Sequence, residues 1–165
     1  MKMTNFIKVR TSDDCIIFID HNIIQLSLLL TELFKDFDLN SEINEDDIPN
    51  VQIERGILCK IIEYMEYHKK KPPIEIKRPL ESNDLNESGI SSWDLSFIDN
   101  NKDVLIELVN ASEYLGINSL MHLICAKLAS MLLERTNDEI RILLNLSDDE
   151  FNEAQKHNNW YEHDD

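Results

Sequence analysis

Apolar residues change their spacing several times along the chain, and each change marks an element. Phe6, Ile7 and Val9 precede a polar turn, Thr11-Ser12-Asp13-Asp14, and the run from Cys15 to Ile19 reads as a second strand, so the chain opens on a β-hairpin. From Asn22 to Phe37 the apolar positions include the set 26, 29, 30, 33 and 37, which predicts one helix or two short ones. Residues 36 to 47 then carry Asp36, Asp38, Glu42, Glu45, Asp46 and Asp47 with, beyond Phe37, only Leu39 and Ile43 as anchors, an acidic surface loop. Pro49 bounds a short extended segment, Ile48 to Ile53. A helix follows from about Glu54, with Ile57, Leu58, Ile61, Ile62 and Met65 on one side, and is expected to stop before Lys69.

Residues 69 to 92 hold three of the four prolines and turn polar after Ile74 and Ile76, the pattern of a mobile linker. Trp93, Leu95, Phe97 and Ile98 are expected to return the chain to the core. Asp103 to Leu115 reads as a helix with Val104, Leu108, Ala111 and Leu115 on one side, broken by Gly116. The next helix, Ile117 to Leu133, is apolar on more than one face. Ile117, Leu120, Met121, Ile124, Leu128 and Leu132 form one stripe, while Leu123, Ala126, Met131 and Leu133 lie elsewhere around the axis. Such a helix needs cover on two sides. Two capping boxes come after it, Thr136-Asn137-Asp138-Glu139 and Ser147-Asp148-Asp149-Glu150, each with a hydroxyl at the N-cap and a Glu three residues on. The short helices they start are marginal alone, and another chain is a candidate for the surface they pack against.

Charge narrows the range of partners. With 32 Asp plus Glu against 16 Lys plus Arg, the net charge of −16 disfavours nucleic acid and anionic membranes, leaving either a surface charged for solubility or a basic protein partner. At 165 residues the chain suits one domain plus an appendage. It lacks the run of about 18 to 20 apolar residues that spans a bilayer, and it lacks a secretory signal pattern, so cytoplasm and nucleus are expected. Cys15, Cys59 and Cys125 are odd in number and set among apolar residues, which predicts reduced, buried thiols.

Catalytic constellations are missing. Gly56, Gly89 and Gly116 are too scattered for a phosphate-cradling loop, the five histidines are scattered, and no CxxC or HxxxH occurs, so neither nucleotide chemistry nor structural zinc is expected. The acidic loop lacks the alternating acidic pattern and turn glycine of a calcium site. His122 and Cys125, three apart on one helix, form a candidate activated thiol. Without a glycine-rich oxyanion loop, a buried Cys beside a surface His is the better account. The expectation is a non-catalytic chain without cofactor or metal.

Several runs occur together in an order that resembles a known family. They are Ile48-Pro49-Asn50-Val51, a helix ending His68-Lys69-Lys70-Lys71-Pro72-Pro73, Trp93-Asp94-Leu95-Ser96-Phe97, Glu113-Tyr114-Leu115-Gly116-Ile117, Thr136 to Arg141, and Asn158-Asn159-Trp160. Over nearly its whole length the chain resembles the S-phase-kinase-associated adaptor subunits of SCF ubiquitin ligases. The resemblance implies an α/β BTB/POZ domain, a small sheet flanked by helices, over 1–125, followed by a helical F-box-binding extension over 117–165. It implies an adaptor that bridges a cullin scaffold to F-box substrate receptors, with weak self-association of the free chain as a further expectation. By motif position, Glu113 and Tyr114 would meet the cullin. Leu128, Leu132, Ile140, Leu144, Leu146 and Trp160 would meet the F-box.

Three positions depart from the family pattern. Asn137 stands where a proline is usual, which removes a prolyl hydroxylation site and some preorganisation. The approach from Leu146 to Trp160 is short, and Glu113 replaces a commoner Asn. Two relatives of the same fold are the rival expectations: an elongin-C-like adaptor, a family that ends near the position of Cys125, and a homodimeric BTB scaffold with no F-box partner.

Overall fold

The computed structural model describes residues 5–36, 44–76, 85–132 and 135–143. Strand β1 (Phe6–Arg10) pairs antiparallel with β2 (Ile16–Asp20), Ile7 facing Ile19 and Val9 facing Ile17, as the alternation predicts. Ile7, Val9 and Ile19 are fully buried, whereas Phe6 and Phe18 are exposed on the other face. Thr11 closes the turn between the strands: its hydroxyl donates to the Cys15 carbonyl and accepts from the Cys15 N–H, both at 3.0 Å. The extended segment after Pro49 lies against β1. The Arg10 N–H donates to the Pro49 carbonyl and the Val51 N–H donates to the Arg10 carbonyl, each at 2.8 Å, forming a parallel bridge between Arg10 and Asn50.

The apolar stretch after the hairpin divides into a 3-10 helix (His21–Leu26) and α1 (Leu28–Leu33). Ser27, between them, has extended backbone and caps α1 by accepting from the Leu30 N–H at 3.1 Å. Its hydroxyl also donates to the carbonyl of Leu115 at 2.7 Å, so one buried side chain serves two helix ends.

Helix α2 (Arg55–Lys70) buries Leu58, Ile61, Tyr64, Met65 and His68. It runs two residues past the expected stop before Lys69. His68, Lys69 and Lys70 occupy its last turn, where positive charge complements the exposed carbonyls. Helix α3 (Ser92–Asn100) is capped by Ser91, which accepts from the Asp94 N–H at 3.1 Å. A 3-10 turn (Lys102–Val104) leads into α4 (Leu105–Leu115), then come α5 (Asn118–Leu132) and α6 (Asn137–Leu143). Helix α4 packs on α5 and on α2, and α3 packs on α5.

Gly116 makes the corner between α4 and α5 with φ +68°, and the Ile117 N–H returns to the Ser112 carbonyl at 2.8 Å. A Cβ at Gly116 would stand 2.8 Å from Leu28 Cβ. The corner thus needs glycine for its backbone conformation and for the close approach of α1.

Two expectations are corrected. The thiols are not buried: Cys59 and Cys125 are exposed and Cys15 is half-buried. Cys59 follows the buried Leu58 and Cys125 follows the buried Ile124, and one step of about 100° turns each away from the core. The stretch expected as a linker also contributes to the core, since Leu85 and Ile90 are buried and Ile76 packs against the same cluster. Residues 77–84 of that stretch, and 37–43 of the acidic loop, lie outside the described residues. No helix among the described residues is long and apolar enough to cross a membrane.

Candidate functional site

Helix α4 sorts its residues by the helical period. Leu105, Leu108, Ala111, Ser112 and Leu115 are buried, while Ile106, Glu107, Asn110, Glu113 and Tyr114 face outward. Ile106 is 45% and Tyr114 43% exposed, large apolar surface for a helix that already has a core side. Against this face lies the start of α2, leaving an open groove lined by Ile53, Glu54, Ile57, Glu107, Ala111 and Tyr114, among others. The Gln52 N–H approaches the Tyr114 hydroxyl at 3.5 Å, a long contact across the groove mouth. Glu113 and Tyr114, adjacent on the last turn of α4, are thus both accessible. Ile106 was not among the residues expected here, although its spacing of eight from Tyr114 puts it on the same side.

A second apolar surface begins where α5 leaves the core. Leu128 and Met131 are partly buried against it, Leu132 and Ile140 are half-buried, and Ile142 is 77% exposed. The capping box of α6 forms as expected. The Thr136 N–H donates to Glu139 Oε2 at 2.8 Å, and the Glu139 N–H approaches the Thr136 hydroxyl at 3.4 Å. The Thr136 backbone N–H and hydroxyl together hold the Glu139 carboxyl below its ordinary range. Leu144, Leu146, Trp160 and the second capping box lie outside the described residues.

The described part of α5 is buried on one side and only partly covered toward its C-terminal end. Leu120, Leu123, Ile124 and Ala126 are buried in the domain, whereas Leu128, Met131 and Leu132 are half-buried. Among the described residues no cluster of His, Cys, Asp or Glu is arranged to hold a metal ion. Cys125 sits on the open side of α5, not in the buried setting expected for it.

Helices α2 and α3 are joined by a polar clasp within an aromatic cluster. His68 Nε2 lies 2.8 Å from Asp94 Oδ1, and Nδ1 lies 2.7 Å from the Lys71 carbonyl oxygen. Asp94 Oδ2 accepts from the Ser91 hydroxyl at 2.7 Å. Trp93 stacks on Tyr67 at 3.8 Å, with the ring planes within 4°. Burial pushes the Tyr64 phenol well above its usual range, against the opposing effect of a hydrogen bond with Ser119.

Comparison with known proteins gives matches over both parts of the chain. Residues 5–70 match the Skp1 family, tetramerisation domain, and residues 118–160 match the Skp1 family, dimerisation domain. A Tetrahymena thermophila S-phase kinase-associated protein 1 homolog is 35% identical over 161 residues, spanning 94% of this chain and 93% of the relative. A Caenorhabditis elegans Skp1-related protein is 30% identical over 162 residues, spanning 94% and 91%. The E3 ubiquitin ligase complex SCF subunit sconC of Arthroderma benhamiae is 28% identical over 163 residues, spanning 96% of each.

Proposed function

The chain belongs to the Skp1 family, and we propose that it joins a cullin scaffold to F-box substrate receptors through two separate surfaces. Its role as an adaptor subunit of an SCF-type E3 ubiquitin ligase accords with the match to SCF subunits over nearly the whole chain. The observation that carries the two-surface reading is the presence of two incompletely buried apolar faces on different elements. One is Ile106 and Tyr114 on α4, and the other runs from Leu128 and Leu132 to Ile140 and Ile142.

In this reading Glu113 and Tyr114 contact the cullin. Leu128, Leu132 and Ile140 begin the F-box surface, which Leu144, Leu146 and Trp160 extend. The protein carries out no reaction. It raises the effective concentration of a receptor-bound substrate near the catalytic subunits of the ligase. Such an adaptor works wherever its ligase does, here the cytoplasm and nucleus. Affinity purification of the tagged chain, followed by mass spectrometry, tests the assignment. A cullin and several F-box proteins are expected together, and recovery of a cullin with no F-box protein would favour an elongin-C-like adaptor instead.

A further inference from the structure

The groove between the start of α2 and the outward face of α4 is apolar at its floor and acidic at its rim. Ile53, Ile57, Ala111 and Tyr114 supply the apolar lining, and Glu54 and Glu107 stand on opposite walls. Glu113 adjoins the groove one residue before Tyr114. All three carboxylates are exposed, and among the described residues none of them takes part in an ion pair. Arg55 follows Glu54 in the chain without lining the groove.

We infer that this groove takes a cullin segment in which an apolar side chain is flanked by Lys or Arg, with Glu54 and Glu107 as the residues that select it. The inference rests on the reading of the α4 face as the cullin surface and adds to it the chemistry of the segment bound. An apolar side chain covers Tyr114 and Ile57 from water, while its cationic neighbours meet the two walls. A segment with Asp or Glu at those places is turned away by like charge, which is how a rim discriminates among partners of similar shape. The overall charge of −16 extends the same preference beyond contact distance.

Rim charges act chiefly on association rate and salt dependence, so those are the quantities to measure. The experiment uses the full chain and purified cullins from the same cell, with Glu54→Gln and Glu107→Gln combined. Glu54 is the N-cap of α2 but its side chain makes no capping hydrogen bond, so the change removes charge without removing a bond of the fold. Equal melting temperatures for the variant and the parent check this.

At about 0.1 M salt, where screening extends over roughly 10 Å, the double variant is expected to associate about 10-fold more slowly than the parent. At about 1 M salt, with the screening length near 3 Å, the two should converge. Tyr114→Ala should weaken binding at both salt concentrations. Equal rates for the double variant and the parent at low salt, with Tyr114→Ala still weakened, would overturn the inference and leave the cullin surface standing. No effect of Tyr114→Ala, or no binding by the parent, would remove both.

Discussion

His68 and Asp94 meet at 2.8 Å in a site where both side chains are almost wholly buried, 2% and 8% exposed. The second ring nitrogen of His68 faces the Lys71 carbonyl and the second carboxyl oxygen of Asp94 faces Ser91, so every polar atom of the pair has a partner. Removing one member leaves the others buried without theirs, which costs more than the pair itself contributes. Asp94→Ala is expected to destabilise the protein by about 3 kcal/mol in denaturant unfolding. An unchanged midpoint would mean that the clasp does not hold α3 to α2.

Ser27 and Gly116 support one corner from two sides. Ser27→Ala deletes the α1 cap and the bond to the Leu115 carbonyl, and a loss of about 1 to 2 kcal/mol is expected. Gly116→Ala places a Cβ against Leu28 in left-handed backbone, with an expected cost of at least about 1 kcal/mol. Because both substitutions act on the same α1–α4 contact, the double variant should lose less than the sum of the two. Thermal unfolding of the three proteins measures this directly, and strict additivity would show the sites to be independent.

The two proposed surfaces call for reciprocal variants. Tyr114→Lys should weaken cullin binding by about 2 kcal/mol or more, roughly 30-fold, and leave F-box binding unchanged. Ile142→Asp should do the reverse, since it puts a charge at an exposed apolar position of the proposed F-box surface. Both positions are open in the free protein, so neither change should lower its melting temperature appreciably. Loss of both partners in either variant would contradict the separation of the surfaces.

Helix α6 should respond to acid through its cap. The Glu139 carboxyl is held below its ordinary range by Thr136, so the folded cap binds its proton less readily than the unfolded chain does. The cap's contribution is therefore present above the ordinary glutamate range and is lost as pH falls through the lowered folded value. Amide exchange at Thr136 and Glu139 should quicken over that acidic window, after correction for intrinsic rates, and Glu139→Gln should abolish the pH-dependent part. A profile identical in parent and variant would exclude the cap as its source.

The hairpin and α4 were legible in the sequence because local rules and tertiary packing agree there. Alternation set the inward residues Ile7, Val9 and Ile19, and Gly116 marked a corner that only glycine suits. The thiols were misplaced because apolar neighbours in sequence do not say which side of a helix faces the core. Leu85 and Ile90 were hidden by the polar average of their segment, although two anchors are enough to bring a chain back to the core. Ile106 escaped notice because a single exposed apolar residue carries no signal until the face it shares with Tyr114 is known.

The hydrogen bond from Ser27 to Leu115 closes a chain interval of 88 residues. An interval of that length is entropically dearer to close than a helix turn, though the cost grows only with the logarithm of its length, and non-local closures of this kind slow folding. During synthesis the hairpin and α1 emerge long before α4, with Ser27 still lacking its acceptor and Leu28 its glycine. The inward residues of the hairpin, Ile7, Val9 and Ile19, therefore lack part of their core until Leu108, Leu115 and Ile117 arrive with the later helices.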